Sequence, residues 1–219
     1  MSHPLNPFPS CRIEATQLAC LRGFNSLFEG LSLTVSSGNT IHVTGANGSG
    51  KTSLLRILCG LSLAETGQIN WNGNNIQSVS SEYRANLSYL GHKPALKPDL
   101  TAYENLVSAA ATGNRALREA DSTATEYLRL LGVVHTRDRL CRQLSAGQKQ
   151  RIAVARVVMS DAPMWILDEP GTSLDTEGME LLSSLMRRHI ERNGLIIFTS
   201  HHGFDLPIDR LDRICLDST

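Results

Sequence analysis

The chain has 219 residues, with 21 Lys plus Arg balanced by 21 Asp plus Glu. That length suits one domain or one domain with an elaboration and hides roughly 70% of its unfolded surface, which excludes a mini-protein dependent on a metal or disulfide framework. Zero net charge excludes a global basic field for nucleic acid or acidic lipid, and no apolar run approaches the ~18 residues that span a bilayer.

Branched and polar residues alternate over 13–19, 31–35 and 40–43, separated by glycine-containing turns, so three strands are predicted first. At Gly45 the pattern gives way to a glycine-rich loop, then to Leu54, Leu55 and Leu58 at helical spacing. A strand at 68–71 runs into the turn WNGNN, and another short strand follows at 86–90. From about 93 to 160 helix formers replace the strand signal, with helices near 101–111, 115–131 and 146–159. The β pattern returns at 164–167. A helix over 176–192 then places Met179, Leu182, Leu185, Met186 and Ile190 on one face behind an Asp175 cap. A buried strand at 195–199 and a short run at 213–216 close the chain. Strands alternating with helices predict an α/β fold with a mostly parallel core sheet. The expected organisation is a single domain, 1–219, with a core of about 1–92 and 161–219 and an α-helical subdomain of about 93–160.

The first ten residues, MSHPLNPFPS, have neither a cationic start nor an apolar stretch of signal-peptide length, so secretion is not expected. Cys11, Cys20, Cys59, Cys141 and Cys215 are far apart and form no CxxC pair, which favours reduced, mostly buried thiols.

The loop Gly45-Ala46-Asn47-Gly48-Ser49-Gly50-Lys51-Thr52 fits GxxxxGK[ST] and lies between a predicted strand and a predicted helix. Glycines let successive N–H groups curl around phosphate oxygens, and the helix that follows points its partial positive end at the same charge. Lys51 is placed to reach the β- and γ-phosphates, Thr52 to ligate Mg²⁺, and Ser53 completes the phosphate-binding run. With only four Lys in the chain, a chance match is a poor explanation. The apolar strand Met164-Trp165-Ile166-Leu167 ends in Asp168 and Glu169. Asp168 is a candidate for the Mg²⁺ shell, and Glu169 for the general base that polarises an attacking water.

Leu144-Ser145-Ala146-Gly147-Gln148 starts a predicted helix and resembles the LSGGQ signature of the ATP-binding cassette (ABC) ATPases. Glu169-Pro170-Gly171-Thr172-Ser173-Leu174-Asp175 and Thr199-Ser200-His201 follow in the family's order and look like its D-loop and switch histidine. The resemblance covers essentially the whole chain. It implies a P-loop NTPase (RecA-like) core with an N-terminal antiparallel β part and an inserted α-helical subdomain. In that family the signature of one subunit completes the phosphate site of another. Ser145, Gly147, Gln148 and Asp175 are therefore expected to serve a paired copy, in a homodimer or a paired ATPase, while His201 holds the γ-phosphate.

Two positions depart from the family pattern. Tyr89-Leu90-Gly91-His92 puts His92 where most relatives carry the glutamine of the Q-loop. A neutral imidazole can exchange one hydrogen bond there, but a protonated one repels the metal, so turnover is expected to fall below about pH 6.5. The usual aromatic adenine platform is replaced by Leu21-Arg22-Gly23-Phe24-Asn25-Ser26-Leu27-Phe28. Phe24 or Arg22 could stack on the base, and Phe28 suits the core. Both departures, with LACLRGFNSLFEGLSL, GKTSLLRILCGL, YLGHKPALKPDLTAYENL and QLSAGQKQRIAVARV, resemble the ATP-binding subunits of cytochrome c biogenesis (haem exporter) systems. So does the short tail of 18 residues after His201, which leaves no room for a regulatory domain.

That resemblance implies a peripheral subunit on the cytoplasmic face of the inner membrane. It would bind ATP and Mg²⁺, dock on an integral membrane permease and energise haem handling with maturation proteins. The ATPase of another transporter, whether a nutrient importer or a drug or lipid exporter, is the alternative. A soluble ABC ATPase of nucleic-acid metabolism is a further one, and no nucleic-acid partner is expected. Adjacent His201 and His202 on an extended strand would face opposite ways, which disfavours joint metal ligation. The arginine-rich stretches 137–142 and 187–192 suit solvated faces. Leu96, Leu100, Tyr103 and Leu106 suit either core packing or the groove that receives a permease helix.

Overall fold

The computed structural model describes residues 6–23, 25–112, 117–201 and 203–216. The first half runs β1 (Arg12–Arg22), β2 (Asn25–Ser36), β3 (Thr40–Gly45), α1 (Lys51–Leu58), β4 (Thr66–Trp71), β5 (Asn74–Asn75), α2 (Ser80–Ala85) and β6 (Leu87–Leu90). The second half runs α3 (Ala102–Thr112), α4 (Leu117–Leu130), α5 (Ala146–Met159), β7 (Met164–Asp168), α6 (Thr176–Glu191), β8 (Leu195–Thr199) and β9 (Leu211–Leu216).

Two sheets result. An antiparallel sheet has the order β2-β1-β4-β5, and a five-stranded sheet has the order β6-β7-β8-β3-β9, with every pair in it parallel. The β1–β2 hairpin turns at Gly23 (φ 64) and is interrupted near Gln17, a left-handed residue at φ 52.

The parallel sheet is buried on both faces, which explains why its central strands read as unbroken apolar runs. Met164 and Ile166 of β7, with Leu195 and Ile197 of β8, pack into one core. Leu54, Leu55 and Leu58 of α1, and Ile13 and Trp71 of the antiparallel sheet, share it. The alternate residues Trp165, Leu167, Ile196 and Phe198 face a second core with Ile152 and Val157 of α5 and Leu182 and Met186 of α6. Helices α3 and α4 reach this second core through Ala102, Leu106 and Leu128. Leu106 is a core side chain, fully buried, while Leu96 and Tyr103 are half-buried and pack against the same cluster. No helix among the described residues is long and apolar enough to cross a membrane.

Several boundaries differ from the pattern-based expectation. The strand expected at 31–35 starts at Asn25, because Ser26 and Phe28 pair with Leu21 and Cys20 of β1 across a hairpin that local alternation does not reveal. The last strand starts at Leu211 through its pairing with Thr40. Helix α2 was not expected. Its six residues are too few to display a period, and it is held by buried Tyr83, whose hydroxyl donates to the Leu58 carbonyl.

Candidate functional site

The glycine-rich loop joins β3 to α1, and two of its glycines are required by geometry. At Gly45 (φ 140) a Cβ would stand 2.4 Å from the Leu216 carbonyl oxygen and 2.7 Å from Ser49 Oγ. At Gly50, which caps α1 in the left-handed conformation (φ 98), it would stand 3.0 Å from Leu27 Cβ. Lys51 Nζ folds back to donate to the carbonyls of Gly45 (2.8 Å) and Ala46 (2.9 Å). Ser49 Oγ is buried beside it and has no protein partner. The loop thus carries a cation, a buried hydroxyl without a protein partner and two glycines that no side chain can replace, ahead of a helix N-terminus that favours an anion.

The acidic end of β7 lies against this loop. Asp168, 2% exposed, accepts from Thr52 Oγ1 at 2.8 Å and from Thr199 Oγ1 at 2.7 Å. The Glu169 amide donates to Thr199 Oγ1 at 2.9 Å, and Glu169 itself has φ 52. A non-glycine residue in the left-handed region is uncommon and carries a steric cost. The Glu169 carboxylate accepts from the His201 amide at 3.2 Å and faces His201 Nε2 at 3.5 Å.

Lys51, Thr52, Ser53, Asn47, Gly48 and Gly50 line one cleft of about 280 Å³, and Asp168, Glu169, His201 and His92 line it too. His92 and His201 are exposed in it. Of the two candidate base-stacking residues, Arg22 lines the cleft beside Leu27. Phe24 lies outside the described residues, as does His202.

A second group of sequence-predicted residues stands apart from the cleft. Ser145 caps α5 in a reciprocal box, accepting from the Gln148 amide (3.2 Å) while Gln148 Oε1 accepts from the Ser145 amide (3.0 Å). A Cβ on Gly147 would come within 2.8 Å of the Ser173 carbonyl, so α5 packs hard against the loop after β7. Asp175 caps α6 by accepting from the Gly178 amide (2.9 Å) and pairs with Arg151 of α5 (2.6 Å). The Gly178 amide first, and Arg151 second, hold its carboxyl below the usual carboxylate range. Ser145, Gly147, Gln148 and Asp175 therefore share one surface, and none of them lines the cleft that holds Lys51.

Thr199 is the residue that motif reading passed over. It bears no motif of its own, yet its hydroxyl donates to the Asp168 carboxylate and accepts from the Glu169 amide. The arginine-rich stretches meet carboxylates: Arg137 with Asp138, Arg142 with Asp99, Arg187 with Asp205, and Arg192 with Asp161.

Among the described residues no three His, Cys, Asp or Glu side chains converge on a point. The Thr52–Asp168 pair instead offers one hydroxyl and one carboxylate oxygen. That donor set suits Mg²⁺, which completes its shell from phosphate and water. The cleft thus combines a phosphate cradle, a metal-competent pair and a neighbouring carboxylate able to take a proton from water.

Residues 28–172 match the ABC transporter family. The chain is 42% identical over 205 residues to the cytochrome c biogenesis ATP-binding export protein CcmA of Histophilus somni, covering 94% of this chain and 93% of that one. It is 39% identical over 207 residues to the Escherichia coli protein of the same name, covering 94% and 97%. Among solved structures it is similar to the dimeric post-hydrolysis state of an ATP-binding cassette bound to ADP and Pi, with TM-score 0.77, 22% identity and coverage of 87% and 88%. It is also similar to an ATP-binding subunit of an ABC transporter, with TM-score 0.78, 24% identity and coverage of 86% and 79%.

Proposed function

The chain belongs to the ABC transporter family, among the cytochrome c biogenesis ATP-binding export proteins, and from that premise we propose how its own residues divide the work of ATP hydrolysis. It is the ATP-hydrolysing subunit of an exporter in cytochrome c biogenesis. In our reading the cargo chemistry is haem handling, and the subunit docks on an integral membrane permease at the cytoplasmic face of the inner membrane.

Lys51 and the N–H groups of residues 45–52 bind the β- and γ-phosphates. Lys51 exchanges its two loop carbonyls for phosphate oxygens as it does so. Thr52 and Asp168 would hold Mg²⁺, which would supply charge neutralisation to the phosphates. Glu169, fixed through its amide by Thr199 and through its carboxylate by His201, takes the proton of the attacking water. His201, whose Nε2 faces that carboxylate, holds the γ-phosphate, and His92, which lines the same cleft, orients the water. Arg22 stacks on the adenine. The surface of Ser145, Gly147, Gln148 and Asp175 closes the cleft of a second copy, where the α5 N-terminus adds its dipole to the phosphate site.

The observation that carries this reading is the continuous hydrogen-bonded chain Thr52–Asp168–Thr199–Glu169–His201 beside the phosphate loop. Glu169→Gln keeps the size and loses the base. Steady-state hydrolysis should drop by about 10²-fold or more, while ATP binding persists and an ATP-locked dimer accumulates on size exclusion. Hydrolysis at the wild-type rate in that variant defeats the assignment.

A further inference from the structure

The loop that carries His201 is gripped from a different strand. His42 lies on β3, opposite Phe198 of β8 on one side and Arg213 of β9 on the other. Its ring stacks on Phe198 (centroids 4.5 Å apart, planes at 6°), and Phe198 meets Phe204, beyond the loop, edge-on at 5.4 Å. His42 Nε2 is 3.1 Å from the Ser200 carbonyl oxygen. A carbonyl only accepts, so Nε2 carries the proton. Burial pushes the imidazole below the ordinary histidine range, aided by Arg213 and opposed by the Ser200 carbonyl and by Glu169. The ring is therefore neutral near pH 7, with Nδ1 bare.

The Ser200 carbonyl and the His201 N–H belong to one planar peptide unit and point in opposite directions. The N–H end donates to Glu169 Oε2 at 3.2 Å. One rigid plate is thus pinned at one end by His42 and at the other by the Glu169 carboxylate. Rotating it about the chain breaks both bonds together. Phe198 stacking fixes the imidazole plane, so the donor cannot follow such a rotation.

We propose that His42 is a positioning residue for hydrolysis: its Nε2–H holds the 200–201 peptide so that the His201 amide aims the Glu169 carboxylate at the attacking water. This rests on Glu169 acting as the base. The chemistry His42 contributes is a single neutral donor, and it touches neither nucleotide nor metal.

Two variants of the full chain separate the donor from the ring. His42→Phe keeps a flat ring against Phe198 and removes the N–H. His42→Gln removes the ring and keeps an amide donor of similar reach. ATP turnover is measured for kcat and KM, and amide hydrogen exchange across residues 199–204 is measured without nucleotide. For His42→Phe, kcat should fall about ten- to a hundredfold at unchanged KM, with the His201 amide exchanging faster. His42→Gln should restore both toward wild type. Wild-type exchange and kcat in His42→Phe overturns the proposal, as does a loss shared equally by His42→Gln or one confined to KM. The exchange readout needs no catalysis. If Glu169→Gln hydrolyses normally while His42→Phe still loosens the His201 amide, the base assignment has failed and the clamp stands. Unchanged exchange with Glu169-dependent hydrolysis removes the clamp alone.

Discussion

Thr199 ties the Asp168 carboxylate to the Glu169 backbone. Its hydroxyl donates to Asp168 and accepts from the Glu169 amide, and it is fully buried. Thr199→Val preserves shape but leaves Asp168 Oδ1 without this donor, while the Glu169 amide keeps the Thr199 carbonyl at 3.2 Å. That loss costs about 1–3 kcal/mol, so the urea midpoint should fall, and kcat should fall more steeply than ATP affinity. Equal kcat in the valine variant would show that the hydroxyl is only structural. At this scale the sequence motifs mark Lys51, Thr52, Asp168, Glu169 and His201, because phosphate and metal chemistry restrict residue type along the chain. Thr199 and His42 carry no such local mark. Their roles arise from the registers of β8 beside β7 and of β3 beside β8, which are facts about strands far apart in the chain.

Helix α5 was legible to its ends, Ala146–Met159, because cap chemistry and apolar spacing coincide there. The α2 helix and the first half of β2 were not, since one is too short to show a period and the other takes its form from its hairpin partner. The cap of α5 also separates stability from proposed function. Ser145→Ala should cost about 1 kcal/mol of stability and reduce hydrolysis. Ser145→Asp keeps an equally good cap, so chemical denaturation should stay near wild type. It places an anion where a second copy's phosphate is proposed to sit, so hydrolysis should be lost. An active aspartate variant would remove Ser145 from the paired site and leave it as a cap.

Acid sensitivity is a property of the whole molecule, set in the core opposite the phosphate loop. His189 of α6 is 3% exposed, stacks on Trp165 at 3.9 Å and contacts the Pro163 carbonyl at 3.1 Å. Burial pushes its pKa down to about 3. The unfolded chain takes up this proton near the ordinary ~6.5, so between about pH 6.5 and 3 the unfolded state binds more protons. Stability is full above 6.5 and declines by about 1.4 kcal/mol per pH unit below it until the folded pKa is reached. His42, also shifted down, adds in the same direction. Urea midpoints from pH 7.5 to 5 should show a plateau and then this slope. His189→Phe should start lower and slope less. A slope unchanged in that variant assigns acid loss elsewhere.

The alternation along β7 and β8 has a mechanical consequence. Neighbouring residues of each strand belong to opposite cores, and the strands end side by side, β7 in Asp168, which lines the cleft, and β8 in Thr199, which bonds to Asp168 behind it. These strands form a party wall between the half bearing the phosphate loop and the half bearing α3, α4 and α5. A tilt of the helices against their side of the wall turns into torque at its tips. A load on the helical face of this wall is thereby shared with the strand ends that carry Asp168 and Thr199.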